Sequence, residues 1–157
     1  MTDTMTTEAI KNFYRVSDRL GTGGQPTEAQ LTDLATAGYD VVINLGLLDP
    51  RYCLPDEAGS LAKLGIEYHH IPVIFSDPTR ADFDRFVTAM DAAAGKRVFV
   101  HCALNHRVSS FIGLYGRLRL GWSREAALAH ARRFWQLDPV WQGFFDRTIE
   151  ALGPHTD

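Results

Sequence analysis

Cys102 and Arg107 are the residues whose types and spacing most plainly promise chemistry. Both stand on one short run, His101-Cys102-Ala103-Leu104-Asn105-His106-Arg107-Val108-Ser109, with four residues between them. The β-branched and aromatic residues Val98-Phe99-Val100 before this run read as a strand. A helix is expected after it, from about 108 to 120. A loop between a strand and a helix N-terminus turns backbone N–H groups, and the positive end of the helix dipole, toward one point. That field favours a thiolate over a thiol, which makes Cys102 the candidate nucleophile. Arg107 adds a planar fork of donors suited to phosphate or another tetrahedral oxyanion. The candidate phosphate cradle is then the backbone of Ala103, Leu104, Asn105, His106, Arg107 and Val108.

The order strand, His-Cys, short loop, Arg, hydroxyl residue, helix resembles the signature loop of the cysteine-dependent protein tyrosine and dual-specificity phosphatases. The resemblance is closer to a bacterial branch of phosphatase-like domains, sometimes fused to β-lactamase-like hydrolases. That branch carries landmarks seen here as Gly24-Gln25-Pro26-Thr27, Ile43-Asn44-Leu45 and Ile71-Pro72-Val73, in the expected order. The resemblance implies hydrolysis of a phosphate monoester through a phosphocysteine, with no metal or other cofactor. It implies that His101 braces the loop and helps set the thiolate. It also implies that Asp77, in Phe75-Ser76-Asp77-Pro78, is the general acid, ahead of Asp82 and Asp84. Plainer roles are open for each: a structural His at a strand end, and an Asp-Pro turn.

The chain departs from the phosphatase signature by one residue, since that signature has a longer interval between Cys and Arg. If Arg107 is the anchor, the loop is shortened and resembles that of rhodanese-type sulfurtransferases and of the fused bacterial branch. If Ser109 is the anchor, it holds the place of the hydroxyl that bonds the thiolate, and Asn105 falls where the family has Gly. Asn tolerates positive φ, which favours the second register. A plain helix-start Ser is the competing reading of Ser109. Two rivals to a phosphatase follow. One is a sulfurtransferase carrying a persulfide on Cys102; the other is a module that holds phosphate but turns it over poorly.

Other candidates are weaker. Cys53 could form a reversible disulfide with Cys102, as a second Cys does in some related phosphatases, though a packing role is the simpler reading. His69-His70 makes a poor zinc site, because neighbours on a strand point to opposite faces. Gly21-Thr22-Gly23-Gly24 lacks the Lys-Ser/Thr of a nucleotide loop and reads as a turn.

The elements that position the loop come from the rest of the pattern. At 157 residues and 45% hydrophobic content, residues 1–157 suit a single domain, with 1–11 a loose lead-in. Phe13 to Val16 and Arg19 to Thr22 read as an edge hairpin. Capping boxes at Thr27/Gln30 and Thr79/Asp82 start two helices. Tyr39 to Leu45 and Ile66 to Val73 read as strands, and about 55 to 64 as a helix. Ser123 starts a helix running to about Trp135, and Asp138-Pro139 starts the last. The expected fold is an α/β phosphatase-like sandwich, a largely parallel central sheet flanked by helices.

A net charge of −3 argues against nucleic acid or an acidic membrane as partner. No run reaches membrane-span length and two Cys make a poor disulfide scaffold, so a cytoplasmic protein is expected. The expected partner is a phosphorylated protein or a small phosphorylated molecule. The residues set no oligomeric state.

Overall fold

The computed structural model describes residues 6–152. Five strands form one sheet: β1 (Tyr14–Ser17), β2 (Leu20–Gly23), β3 (Val41–Asn44), β4 (Glu67–His70) and β5 (Val98–His101). Their order is β1-β2-β5-β3-β4. Only β1 and β2 pair antiparallel; every other pair is parallel. Among the described residues, six helices flank the sheet: α1 (Glu28–Thr36), α2 (Glu57–Lys63), α3 (Arg80–Ala92), α4 (His106–Arg119), α5 (Arg124–Ala131) and α6 (Pro139–Ala151). The result is the expected α/β sandwich.

Strand alternation assigns the two layers. Val41, Ile43, Val98 and Val100 face one core with Phe83, Phe86, Phe111, Trp141 and Phe145. Val42 and Phe99, one residue out of step, face the other with Leu31, Leu34, Tyr39 and Leu61. The helix leaving the Cys102 loop is the axis of the first layer: every residue of α4 from Arg107 to Arg117 is buried. Gly113 lets it press on α5, since a Cβ there would lie 2.4 Å from the Ala127 carbonyl oxygen.

Local signals hold where they were strongest. Both capping boxes form, Ser123 caps α5, and Asp138 caps α6 with Pro139 in its first turn. Three expectations shift. First, α4 begins two residues early, at His106, because Asn105 takes the cap position in a left-handed conformation. Second, α5 stops at Ala131, short of Trp135. The chain turns there, and Trp135 stacks on His106 and packs against Phe75 and Trp141. Third, the lead-in is packed rather than loose from Thr7 onward. Thr7 and Ile10 are buried, and the Lys11 carbonyl accepts from Gly24 N at 2.7 Å. The part before Thr6 lies outside the described residues. Tyr14 packs edge-on to His130 and Phe134, beneath the Arg133 guanidinium.

His130 gives the fold a pH dependence. It is buried between Tyr14 and Trp122, and burial, with Arg133 nearby, pulls its pKa down from 6.5 to about 4. The unfolded chain takes up this proton as pH falls through about 6.5, whereas the native ring refuses it until about 4. Stability is therefore intact above that window and lost through it, by up to about 1.4 kcal/mol per pH unit for one proton. Urea midpoints measured from pH 7 to 4 should fall for the native sequence and fall less steeply in His130→Gln. An equal slope in both proteins would assign the effect elsewhere.

Candidate active site

Because β2, β3, β4 and β5 run parallel, the loops after them gather at one end of the sheet, where open α/β folds place ligands. A cavity of about 300 Å³ opens there, lined by Phe75, Cys102, Ala103, Leu104, His106 and Arg107. Cys102 is 1% exposed, so it lies on the floor of this cavity and not on an open surface. A larger hollow of about 600 Å³ lies between β4 and α3, around Tyr68, His69 and Arg85, and includes none of the loop residues. Chemistry, not size, singles out the smaller one.

Three consecutive carbonyls of the loop are tied outward. The Cys102 carbonyl lies 3.3 Å from His101 Nδ1, the Ala103 carbonyl accepts from Gln25 N at 3.0 Å, and the Leu104 carbonyl accepts from Asn12 Nδ2 at 2.8 Å. In a trans peptide the C=O and the following N–H point in opposite directions. Tying these oxygens to the scaffold therefore turns the N–H groups of Ala103, Leu104 and Asn105 the other way. Among the described residues, no protein acceptor takes the N–H of any residue from Ala103 to Val108. Gly24 makes the scaffold's approach possible, because a Cβ there would sit 2.4 Å from the Ala103 oxygen.

Asn105 adopts φ +68°. Its side chain donates to the Asn12 carbonyl at 2.9 Å and to Thr22 Oγ1 at 3.2 Å, so Asn12 and the loop exchange bonds in both directions. The Ser109 hydroxyl lies within hydrogen-bond distance of the carbonyls of His106 (3.1 Å) and Ala131 (3.0 Å). It clasps α4 to α5, and this corrects the expectation that it bonds the sulfur. With α4 starting at His106, Ser109 is already turned toward the neighbouring helix.

Arg107 is 6% exposed yet reaches the cavity. Its guanidinium donates to the Val73 carbonyl at 2.9 Å and to the Tyr52 hydroxyl at 3.4 Å, and lies over the Phe75 ring at 5.7 Å. The short interval after Cys102 thus still delivers Arg107 to the sulfur's cavity. His106 stacks flat on Trp135, ring centres 4.6 Å apart. Burial and the adjacent Arg107 both lower its pKa, which favours the neutral ring. The Val108 side chain is in the core, so only its backbone can serve the loop.

His101 is fully buried, and its Nε2 lies 2.6 Å from Glu57 Oε2. The other Glu57 oxygen accepts from Gln25 Nε2 at 3.0 Å. Burial pushes the Glu57 pKa up, but the bonds from His101 and Gln25 outweigh it and leave a net lowering. Asp77 is exposed beyond Phe75 on the loop after β4, outside the cavity lining, and its carboxylate has no hydrogen bond or ion pair among the described residues. Asp82 is taken by the Thr79 capping box and Arg85, and Asp84 by Arg80. Cys53 and Cys102 are both free thiols, and His69 and His70 are engaged by Glu67 and the Gly46 carbonyl.

Asn12, Tyr52, Glu57 and Trp135 belong to this site and were not singled out from sequence. Each arrives from a distant stretch, with no motif of its own to mark it. The nearest available signal was Gln25 in the Gly-Gln-Pro-Thr landmark, a polar residue whose partners lie elsewhere in the chain.

Residues 4–136 match the family model described as a DSP-PTPase phosphatase fused to NAD+ kinase. A β-lactamase hydrolase-like protein of Xylella fastidiosa is 30% identical over 129 residues, covering 76% of this chain; the chain spans 28% of that relative's length. The crystal structure of a DUF442 protein from Shewanella putrefaciens CN-32 superposes with a TM-score of 0.86 at 30% identity, covering 96% of this chain and 99% of that one. PTPMT1 in complex with PI(5)P shares the fold at a TM-score of 0.73 and 20% identity, over 89% and 96% of the two chains. A fold of the dual-specificity and tyrosine phosphatase type supports a phosphatase, and hence a hydrolase. Among the described residues, no helix is long and apolar enough to cross a membrane. The chain belongs to the family of phosphatase domains described as DSP-PTPase phosphatases fused to NAD+ kinase.

Proposed function

We propose that this domain hydrolyses phosphate monoesters through a phosphocysteine on Cys102. One observation carries the reading: a thiol, a guanidinium and a run of N–H groups without protein acceptors share a single cavity. The thiolate attacks phosphorus in line, forming the S–P bond as the ester P–O bond breaks. Arg107 and the cradle N–H groups hold the equatorial oxygens while charge redistributes. Asp77 gives its proton to the leaving oxygen, then takes one from the water that attacks phosphorus, which releases inorganic phosphate and restores the thiolate. His101 orients the Cys102 peptide.

The substrate is a phosphorylated protein or a small phosphorylated molecule; PTPMT1 bound to PI(5)P is an instance of the latter on this fold. The exposed Leu104 and Phe75 at the mouth favour an ester with an apolar group beside the phosphate. The test is turnover of p-nitrophenyl phosphate beside transfer of sulfur from thiosulfate to cyanide. Phosphate release without thiocyanate is expected. Thiocyanate without phosphate release means a sulfurtransferase, and neither product, with phosphate still shielding Cys102 from iodoacetamide, means a binding module.

Asp77→Asn separates the acid from the rest of the machinery. Its kcat on an alkyl phosphate, whose leaving group needs a proton, should fall about 100-fold, a typical general-acid contribution. For p-nitrophenyl phosphate, whose leaving group departs unprotonated, kcat/KM, which reports only the first step, should fall much less. Equal kcat for the native and variant proteins on the alkyl ester would remove Asp77 from the mechanism.

A further inference from the structure

The phenol of Tyr52 holds an unspent proton beside the cavity. Its oxygen accepts from Leu47 N at 2.9 Å and from Arg107 Nη2 at 3.4 Å. A backbone amide and a guanidinium only donate, so both contacts use the oxygen as acceptor and neither uses the hydroxyl proton. Among the described residues, no other hydrogen bond involves that hydroxyl. A donor is therefore left over, next to a guanidinium that lines the cavity over Cys102.

The loop after β3 builds this placement. The Asp49 carboxylate accepts from Arg51 N at 3.0 Å and pairs with the Arg51 guanidinium, while the Asp49 carbonyl accepts from Tyr52 N at 3.0 Å and Cys53 N at 2.8 Å. The bond from Leu47 N then ties the far end of the ring back across this turn. Gly46 is buried, and a Cβ there would lie 3.4 Å from Tyr52 Cε1 and 3.5 Å from the Cys102 Cα. The edge of the ring and the backbone of Cys102 thus meet on one side of Gly46. With one N–H given to the Val73 carbonyl and one to the phenol, the Arg107 fork still has donors for a ligand.

We propose that Tyr52 is a phosphate-binding residue: its hydroxyl donates to an oxygen of the bound phosphoryl group, next to the oxygens gripped by Arg107. The proposal rests on the reading of this cavity as the phosphate site. Two N–H groups polarise the phenol oxygen, one of them from a cation, and this makes its O–H a better donor. A phosphate oxygen is the acceptor that suits it, being anionic and already drawn to Arg107. The loop between Cys102 and Arg107 is short, and Tyr52 adds to its amides a donor brought from a different loop. Held at both ends, the ring presents that donor already aimed.

Calorimetric titration with inorganic phosphate across a double-mutant cycle tests the contact. Tyr52→Phe keeps the ring against Gly46 and removes only the hydroxyl. It should weaken phosphate binding about 10- to 100-fold, the range for a hydrogen bond to a charged group. The same factor should appear when the change is made in Arg107→Lys, because the phenol reaches phosphate itself. A loss confined to the protein with Arg107 would mean that Tyr52 merely braces the guanidinium, and no loss in either background would remove it from the site; both overturn the proposal. In the native protein, phosphate should also slow exchange of the Tyr52 hydroxyl proton enough to bring its signal into the proton NMR spectrum. A hydroxyl that exchanges equally fast with and without phosphate overturns the proposal independently of any variant. Should the native protein fail to bind phosphate, the reading of the cavity falls and the proposal with it. Should phosphate bind as expected while Cys102→Ser keeps full turnover, only the phosphocysteine chemistry falls, and the Tyr52 contact stands.

Discussion

Cys102→Ser will lose at least about four orders of magnitude in kcat on p-nitrophenyl phosphate, the scale seen when an enzyme's nucleophile is removed. The oxygen is smaller than sulfur and, as a neutral hydroxyl, is a poor nucleophile for phosphorus without a base. No free base is at hand for that hydroxyl: Asp77 holds the proton destined for the leaving oxygen in this step, among the described residues no acidic side chain lines the cavity, and Glu57 is occupied by His101 and Gln25. Binding should survive. The N–H groups from Ala103 to Val108 and the Arg107 guanidinium are untouched by the change, so the variant should still bind inorganic phosphate in a calorimetric titration. Turnover near the native rate would end the phosphocysteine reading, whatever the binding result.

Arg107→Lys keeps the charge and should still cost about 100- to 1,000-fold in kcat, the range for removal of one well-placed oxyanion donor. The guanidinium has to reach the Val73 carbonyl and the Tyr52 hydroxyl while presenting the rest of its fork to the cavity. An ammonium has three donors at one point and cannot span those directions. It also loses the guanidinium's place over the Phe75 ring. Because the loss concerns shape and not charge, KM should rise much less than kcat falls. A variant with native kcat would mean that charge alone suffices, and that the loop amides supply the directional contacts.

The fold was legible to the extent that short-range rules govern it. Thr27 with Gln30, Thr79 with Asp82 and Asp138 with Pro139 each mark a helix start within a few residues, and each cap forms. Asn105 was legible as a place for positive φ. What escaped depends on distant segments meeting. Glu57 looks like an ordinary acidic residue in the first turn of a helix, and only the packing of α2 against the sheet reveals it as the partner of His101. Tyr52 and Asn12 sit in stretches without periodicity. Ser109 misled for the opposite reason: its distance from Cys102 fits the thiolate's partner. Distance along the chain does not say which way a residue faces on a helix whose start has moved by two positions.

The bonds exchanged by Asn12 with Leu104 and Asn105 join segments about ninety positions apart. Among the described residues ahead of β1, Thr7 and Ile10 are buried, and the carbonyls of Lys11 and Asn12 and the Asn12 side chain bond to Gly24 and the Cys102 loop. Releasing residues 6–12 would expose Ile10 as the one large core side chain of that segment, so local opening there should require far less free energy than global unfolding. Catalytic output can then fade on warming or in mild denaturant while circular dichroism still reports an intact fold. Inactivation and melting become two separate curves, with residues 6–12 setting the first.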